Sequence, residues 1–395
     1  MKFPPRQNFV RRAAIVTACI VGAFNSIAAA QTVSIVSPAR TISPDTNHYQ
    51  GWPTLTQLKN GKLIVTYSGG REDHLCPFGR IEAITSTDDG ETWTWPRVLF
   101  DSDLDDRDAA ILETRSGTLL MPILNSTVYQ LDLNNHDRRF KDMPRPERDA
   151  MFARWQLAHD RTTDEQKKTL LGENQGRWML RSTDGGHTWQ TPYEIPAYNL
   201  SGAIETRDGR LLFAGTDPKK PAVWESKDDG LTWEVLSVLP TRAGEMDMVE
   251  ATDGRLIVHV RGHIRDGKRE QGTFQTVSRD GGKTWSDPVC ITKIGWPAQP
   301  IRLRDGTLLT IYSVRSKPFG IRGMRSTDNG DTWSDEFTVY GDGAGWDLGY
   351  PTTTELKDGS LLTVWYEKMP DNPNAILRQS RWRLESQPAA AAVQK

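Results

Sequence analysis

The sequence predicts an all-β fold, a six-bladed β-propeller with a partly helical insertion in its second blade. Two repeated patterns and the character of the residues between them carry this expectation. The pattern Ser-x-Asp-[Asp/Gly/Asn]-Gly-x-Thr-Trp occurs five times, at 86–93, 182–189, 226–233, 278–285 and 326–333. A shorter pattern, [Asn/Ser/Asp]-Gly-x-Leu, occurs six times, with its glycine at 61, 117, 209, 254, 306 and 359. Between them run short apolar stretches of strand character, and self-similarity at a spacing of tens of residues marks a repeat architecture.

Each long copy has the chemistry of a tight turn. Its Asp can accept from backbone N–H groups further on, its Gly can take a positive φ, and its Trp can anchor the turn on a neighbouring strand. The short copies are hairpin signals, since Asn-Gly and Asp-Gly between alternating runs favour two-residue turns. In five cases the long pattern follows the short one, after 25, 65, 17, 24 and 20 residues from Gly to Ser. A blade is therefore read as four strands, A to D, with the short pattern between A and B and the long one between C and D. The sixth hairpin is followed only by the strand-like run Ile376 to Leu384. Residues 32–42 are expected to supply the strand that closes the ring onto this last blade, and a closed ring leaves only short edges.

The interval of 65 residues is the outlier. It implies an insertion of about 40 residues beyond an ordinary loop, placed at roughly 130–176 between strands B and C of blade two. Met151, Phe152, Trp155 and Ala158 recur at helical spacing. Thr163-Asp-Glu-Gln166 has the form of a capping box before a second helix. The insertion is either a surface ornament or a lid or wall over a site.

Turn order decides which face can hold that site. A–B and C–D turns share one end of an up-and-down blade, whereas B–C loops and blade-to-blade links share the other. On this second face the chain gathers Arg71-Glu72-Asp73-His74, Asp105-Asp106-Arg107-Asp108, Glu245, Asp247, Arg261, Arg315, Arg322, Asp347, Tyr350 and Glu367. Carboxylates at a channel mouth suit acid/base work on a sugar, and arginines suit a carboxylate ligand. The Asp105–Asp108 run could hold sugar hydroxyls or calcium, although no cofactor is otherwise indicated. His259 and His263, four apart on a strand, would stand about 13 Å from one another and cannot share a metal.

Composition excludes other classes. The 395 residues carry a net charge of -2 with both signs interspersed, which argues against nucleic acid or an anionic membrane as partner. Five of the 14 Trp belong to the long pattern, so the aromatic excess is largely structural. Residues 1–30 read as an export leader: Arg6, Arg11 and Arg12, then a mostly apolar run, then Ala28-Ala29-Ala30. That run is too short and interrupted for a membrane span. The expected organisation is a leader at 1–30, the propeller at 31–385 and a disordered tail at 386–395, in a periplasmic or secreted protein. Cys76 and Cys290 could pair in such a compartment or stay reduced.

The long pattern resembles the Asp box of the sialidase superfamily, and the resemblance spans the mature chain as architecture. It implies a Tyr nucleophile hydrogen-bonded to a Glu, an Asp acid/base and arginines that bind the substrate carboxylate, an exception to the two-carboxylate glycosidases. Gly349-Tyr350-Pro-Thr-Thr-Thr-Glu-Leu356-Lys-Asp358-Gly359, closing in Tyr366-Glu367, matches the segment that carries the family's Tyr. Glu245 to Arg261 matches the segment from its Glu to its second Arg. The resemblance thus implies Tyr350, Glu245 and Asp73 as catalytic residues. Arg71, Arg107, Asp108, Arg261, Arg322 and Glu367 are expected to bind substrate, with Arg322 preferred over Arg315 as third arginine. Where the family has Phe/Tyr-Arg-Ile-Pro, this chain reads Tyr49-Gln50-Gly51-Trp52-Pro53, so Arg71 or Arg107 would replace the first arginine. The expected activity is exo-hydrolysis of terminal sugars on a glycan. The alternatives are a glycan-binding propeller without catalysis, and a lyase or neutral-sugar hydrolase on the same fold.

Overall fold

The computed structural model describes residues 33–385 except 136–139, 198–200, 217–219, 242–243 and 266–267; the expected leader and tail lie outside the described residues. Six antiparallel sheets follow one another along the chain. Blade one is Tyr49–Gln57, Leu63–Arg71, Arg80–Ser86 and Arg97–Phe100. In blade two the inner strand is split into Asp105–Arg107 and Leu112–Glu113, both paired with Leu119–Ser126, and Arg177–Ser182 and Tyr193–Glu194 complete the sheet. Blades three, four and five begin at Ile204–Glu205, Met246–Glu250 and Gly295–Arg302. Blade six takes three strands from the end of the chain, Leu348–Glu355, Leu361–Lys368 and Ala375–Leu384, and its outer strand from the start, Val33–Thr41.

The core lies in the seams between blades, and strand alternation explains why. Successive residues of a strand point to opposite faces, and here both faces are buried. Leu63 and Val65 pack toward blade six, while Ile64 joins Ile81, Met121 and Leu180 in the seam with blade two. Leu120 and Phe213 fill the next seam, and Leu212 joins Met248 and Val258 in the one after. Strands buried on both faces need near-continuous apolar runs, which is what Leu63-Ile-Val65 and Leu211-Leu-Phe213 supply.

All five Ser-x-Asp turns close in the same way. In the first, the Ser86 hydroxyl donates to Asp88 at 2.7 Å and accepts from Gly90 N–H at 2.9 Å, while the Thr92 amide and hydroxyl donate to Asp88 at 2.9 and 2.6 Å. The Trp93 indole reaches Gln379 of blade six at 2.9 Å. Thr92's hydroxyl and amide, with Ser86, hold the Asp88 carboxyl at about 2, below the unfolded value near 3.9. The stabilisation from this turn is therefore complete above pH ~4 and is lost as pH falls through ~2. Unfolding by urea along that pH range is expected to show a steeper loss for the wild type than for Asp88→Asn; equal slopes would show that the turn's charge does not contribute.

The insertion leaves blade two between its second and third strands, and its described residues include three helices, α1 (Gln130–Asn134), α2 (Arg145–Arg161) and α3 (Asp164–Leu171). Thr163 and Gln166 cap α3 reciprocally, at 3.2 and 2.8 Å. Met151, Phe152 and Trp155 of α2 pack with Tyr129, Leu133, Phe140 and the blade-one residue Cys76. Glu72 of the blade-one loop accepts from Arg154 at 3.0 Å and from the Trp155 indole at 2.9 Å. The insertion is thus bound as a wall to the loop that follows strand B of blade one. No disulfide joins Cys76 to Cys290.

Candidate active site

A cavity of about 460 Å³ is lined by Trp52, His74, Arg107, Asp108, Leu124, Ser126, Val128, Glu245, Arg261, Arg315, Trp346 and Tyr350. These residues stand where inner strands begin or second strands end, so they share the face away from the Ser-x-Asp turns. The volume falls in the range that holds one small ligand.

Three of the lining residues have a left-handed backbone without being glycine: Trp52 (φ 53), Asp108 (φ 59) and Tyr350 (φ 52). Such positions cost on the order of 1–3 kcal/mol each and persist where the surroundings hold them. Trp52 and Tyr350 occupy equivalent places in Gly51-Trp52-Pro53-Thr54 and Gly349-Tyr350-Pro351-Thr352. In both, strand pairing is interrupted between the Gly and the Thr. The interruption turns the aromatic residue out of the sheet and into the cavity.

Tyr350 donates its hydroxyl to Glu245 Oε1 at 2.8 Å. Arg261 grips both Glu245 oxygens at 2.7 and 2.8 Å and lies 3.5 Å from the Tyr350 oxygen. Arg315 lies over the Tyr350 ring at 5.5 Å, anchored on the Leu348 carbonyl at 2.9 Å and the Tyr366 hydroxyl at 3.2 Å. Burial first and the Glu245 charge second push the Tyr350 hydroxyl well above its ordinary value, and Arg315 and Arg261 only partly oppose this. Tyr350 therefore rests neutral, with a carboxylate in place to take its proton. Across the cavity the Arg107 guanidinium stacks on Trp52 at 4.3 Å. Three guanidinium groups face the cavity against the carboxylates of Glu245 and Asp108, an excess that favours an anionic ligand.

The structure brings Tyr350, Glu245, Arg261, Arg107 and Asp108 together and sets four other expected site residues apart. Asp73 does not line the cavity; its carboxylate turns back to accept from the His74 amide at 2.6 Å, and the adjacent His74 faces the cavity instead. Arg71 is fully buried and bound to both oxygens of Asp105 at 2.5 and 3.1 Å, so it cannot meet a ligand. Arg322 pairs with Glu336, the residue before the outer strand Phe337–Tyr340, at 3.1 Å, and Arg315 holds the cavity position. Glu367 is fully buried and accepts from the Ala344 amide at 2.9 Å, which steadies the link carrying Trp346. The acidic run is likewise divided. Asp105 serves Arg71, Asp106 accepts from the Ser102 amide and hydroxyl and from Asn125, and only Arg107 and Asp108 reach the cavity. Trp52 and Trp346 were not anticipated as site residues, and His74 was placed on this face by the turn order without a role. The shared Gly-aromatic-Pro-Thr pattern was a signal for Trp52.

Residues 161–364, just over half of the chain, match the BNR repeat-like domain family. A sialidase of Bacteroides fragilis (strain YCH46) is 26% identical over 222 residues, which cover 48% of this chain and 39% of that protein. A sialidase of Micromonospora viridifaciens is 25% identical over 342 residues, covering 78% of this chain and 48% of that protein. The chain thus spans less than half the length of either sialidase. The crystal structure of a Dyadobacter fermentans protein of unknown function superposes with a TM-score of 0.70 at 23% identity, covering 89% of this chain and 99% of that one, a likeness of fold.

Proposed function

This chain belongs to the BNR repeat-like domain family, and from that premise we propose that it is a glycoside hydrolase that removes a terminal acidic sugar from a glycan, in the manner of an exo-α-sialidase. The observation that carries the reading is the 2.8 Å hydrogen bond from Tyr350 to Glu245 at the wall of a cavity rich in arginine. Tyr350 attacks the anomeric carbon while Glu245 takes its proton, and a neutral nucleophile avoids the repulsion a carboxylate would meet from an anionic substrate. Arg107, Arg261 and Arg315 surround the position that the substrate's carboxylate would take. The loop 73–74 of blade one, facing Tyr350 beyond Trp52, supplies the proton for the leaving oxygen. Export belongs to the same proposal, on the strength of the basic, apolar and small-residue segments at 1–30.

A screen of 4-methylumbelliferyl glycosides, including an α-sialoside and neutral sugars, tests both points when run on medium, periplasm and cytoplasm separately. Turnover of the acidic glycoside outside the cytoplasm is the expected result. Binding without turnover would favour the glycan-binding propeller, and turnover of neutral sugars alone would remove the assignment of the arginines.

A further inference from the structure

We propose that His74, held by Asp347 and Tyr49, is the acid/base of this site, a role that rests on the glycosidase reading above. The imidazole lines the cavity together with Tyr350 and Glu245. It packs edge-on against Trp52, with ring centroids 4.8 Å apart, and Trp52 in turn lies edge-on to Tyr350 at 6.4 Å. His74 and the nucleophile therefore flank the same indole.

The hydrogen bonds behind His74 fix which nitrogen can act. Nδ1 lies 2.8 Å from the Tyr49 hydroxyl and 3.5 Å from Asp347 Oδ1. Tyr49 has one proton and donates it to Asp347, at 3.1 and 3.2 Å from its two oxygens. In the proposed tautomer the phenol oxygen accepts from Nδ1–H of His74. Burial tends to neutralise Asp347, but its bonds with His74 and Tyr49 outweigh this and keep it ionised. Tyr366 also donates to it, at 3.3 Å. A buried carboxylate that orients an imidazole through one nitrogen leaves the other, Nε2, to exchange protons at the reaction centre. The neighbouring Asp73 accepts from the His74 amide through one oxygen and does not line the cavity.

The charged and titratable groups around the imidazole are Tyr49, Tyr366 and Asp347 behind it, Asp73 beside it and Arg71, which donates to the His74 carbonyl at 3.1 Å. Across the cavity stand Arg107, Asp108, Glu245, Arg261, Arg315 and Tyr350.

In the first step the anomeric carbon–oxygen bond to the leaving group breaks, and that oxygen takes the proton from Nε2 of the imidazolium. Tyr350 bonds to the carbon and gives its proton to Glu245. In the second step water gives a proton to Nε2 and its oxygen bonds to the carbon. The bond to Tyr350 breaks, and the phenolate recovers the proton from Glu245. Both steps conserve charge, with Asp347 ionised throughout.

The test compares wild type, His74→Gln, Asp73→Asn and Asp347→Asn on two glycosides of the sugar found by screening, one with a 4-methylumbelliferyl and one with a sugar leaving group. His74→Gln is expected to lose about 10²–10⁴-fold on the sugar leaving group and far less in forming the glycosyl-enzyme from the aryl glycoside. It should also lose the basic limb of the kcat/KM profile and yield a glycosyl azide when azide is added. Asp73→Asn, which alters the acceptor of the His74 amide, should retain the basic limb and form no glycosyl azide. Asp347→Asn preserves the hydrogen-bonding shape but removes the charge, so its basic limb should move to lower pH; this provides a reading independent of how well His74→Gln folds. Leaving-group dependence and azide product in Asp73→Asn, with neither in His74→Gln, or an unmoved limb in Asp347→Asn, would overturn the assignment while leaving the glycosidase intact. A wild type that cleaves neither glycoside would overturn the glycosidase reading and this assignment with it.

Discussion

Tyr350→Phe is expected to lower kcat by about a thousandfold or more while substrate affinity stays within a few-fold, because the variant removes a single oxygen that acts only as the new bond forms. The phenyl ring would keep its packing under Arg315 and beside Trp52, so the cavity should retain its shape. Glu245 would stay clamped by Arg261 through two bonds, which prevents it from swinging in as a substitute nucleophile. Steady-state kinetics with the aryl glycoside, together with calorimetric binding of the reaction product, separate the two effects. Wild-type turnover by this variant would eliminate the Tyr mechanism. A loss of binding equal to the loss of turnover would mean that the hydroxyl holds substrate and does not attack it.

Asp105→Ala is expected to have the largest effect on stability, a loss of about 3–5 kcal/mol. Arg71 and Asp105 are both fully buried, so removal of the carboxylate strands a guanidinium that cannot reach water. The arginine also donates to the backbone carbonyls of Asp73 and His74, at 3.4 and 3.1 Å. Loss of Asp105 should therefore loosen the loop that presents His74, and activity should fall along with the urea midpoint. Replacing both partners, as in Arg71→Met with Asp105→Leu, should recover most of the stability, since an apolar pair of similar volume avoids the desolvation that the ion pair incurs. A midpoint unchanged in Asp105→Ala would show that solvent reaches Arg71.

The fold was legible because its repeated elements are local. A Ser, an Asp, a Gly and a Thr within eight residues make the same set of hydrogen bonds wherever they occur, so five copies reported five blade corners. The capping box of α3 was legible for the same reason. Tyr350, Glu245 and Arg261 could be placed at one cavity because each lies at a strand end whose direction the turn order defines. What remained hidden depended on facing direction. Arg315 lies just past the strand Leu308–Val314 and Arg322 sits on the strand paired with it, and only the folded side chains show that Arg322 meets Glu336 while Arg315 faces the cavity. Arg71 looked like a ligand because an isolated charge on a loop is ordinarily solvated; its partner is 34 residues away. His74 was overshadowed by the carboxylate beside it, whose inward turn is a matter of one hydrogen bond to the next amide.

The outer strand of blade six has a consequence for how the protein is made. Val33 pairs with Leu384 and Thr41 with Arg378, so this sheet joins segments more than three hundred residues apart in sequence. Blades one to five can each assemble from neighbouring hairpins as they leave the ribosome, but Val33–Thr41, synthesised before all of them, has no partner strand until Ala375–Leu384 exists. Among the described strands, the first translated is the last one docked. Closing so long a loop is slow relative to forming hairpins, and throughout that interval a nascent chain carries an unpaired edge, open to a chaperone or to another copy still in translation.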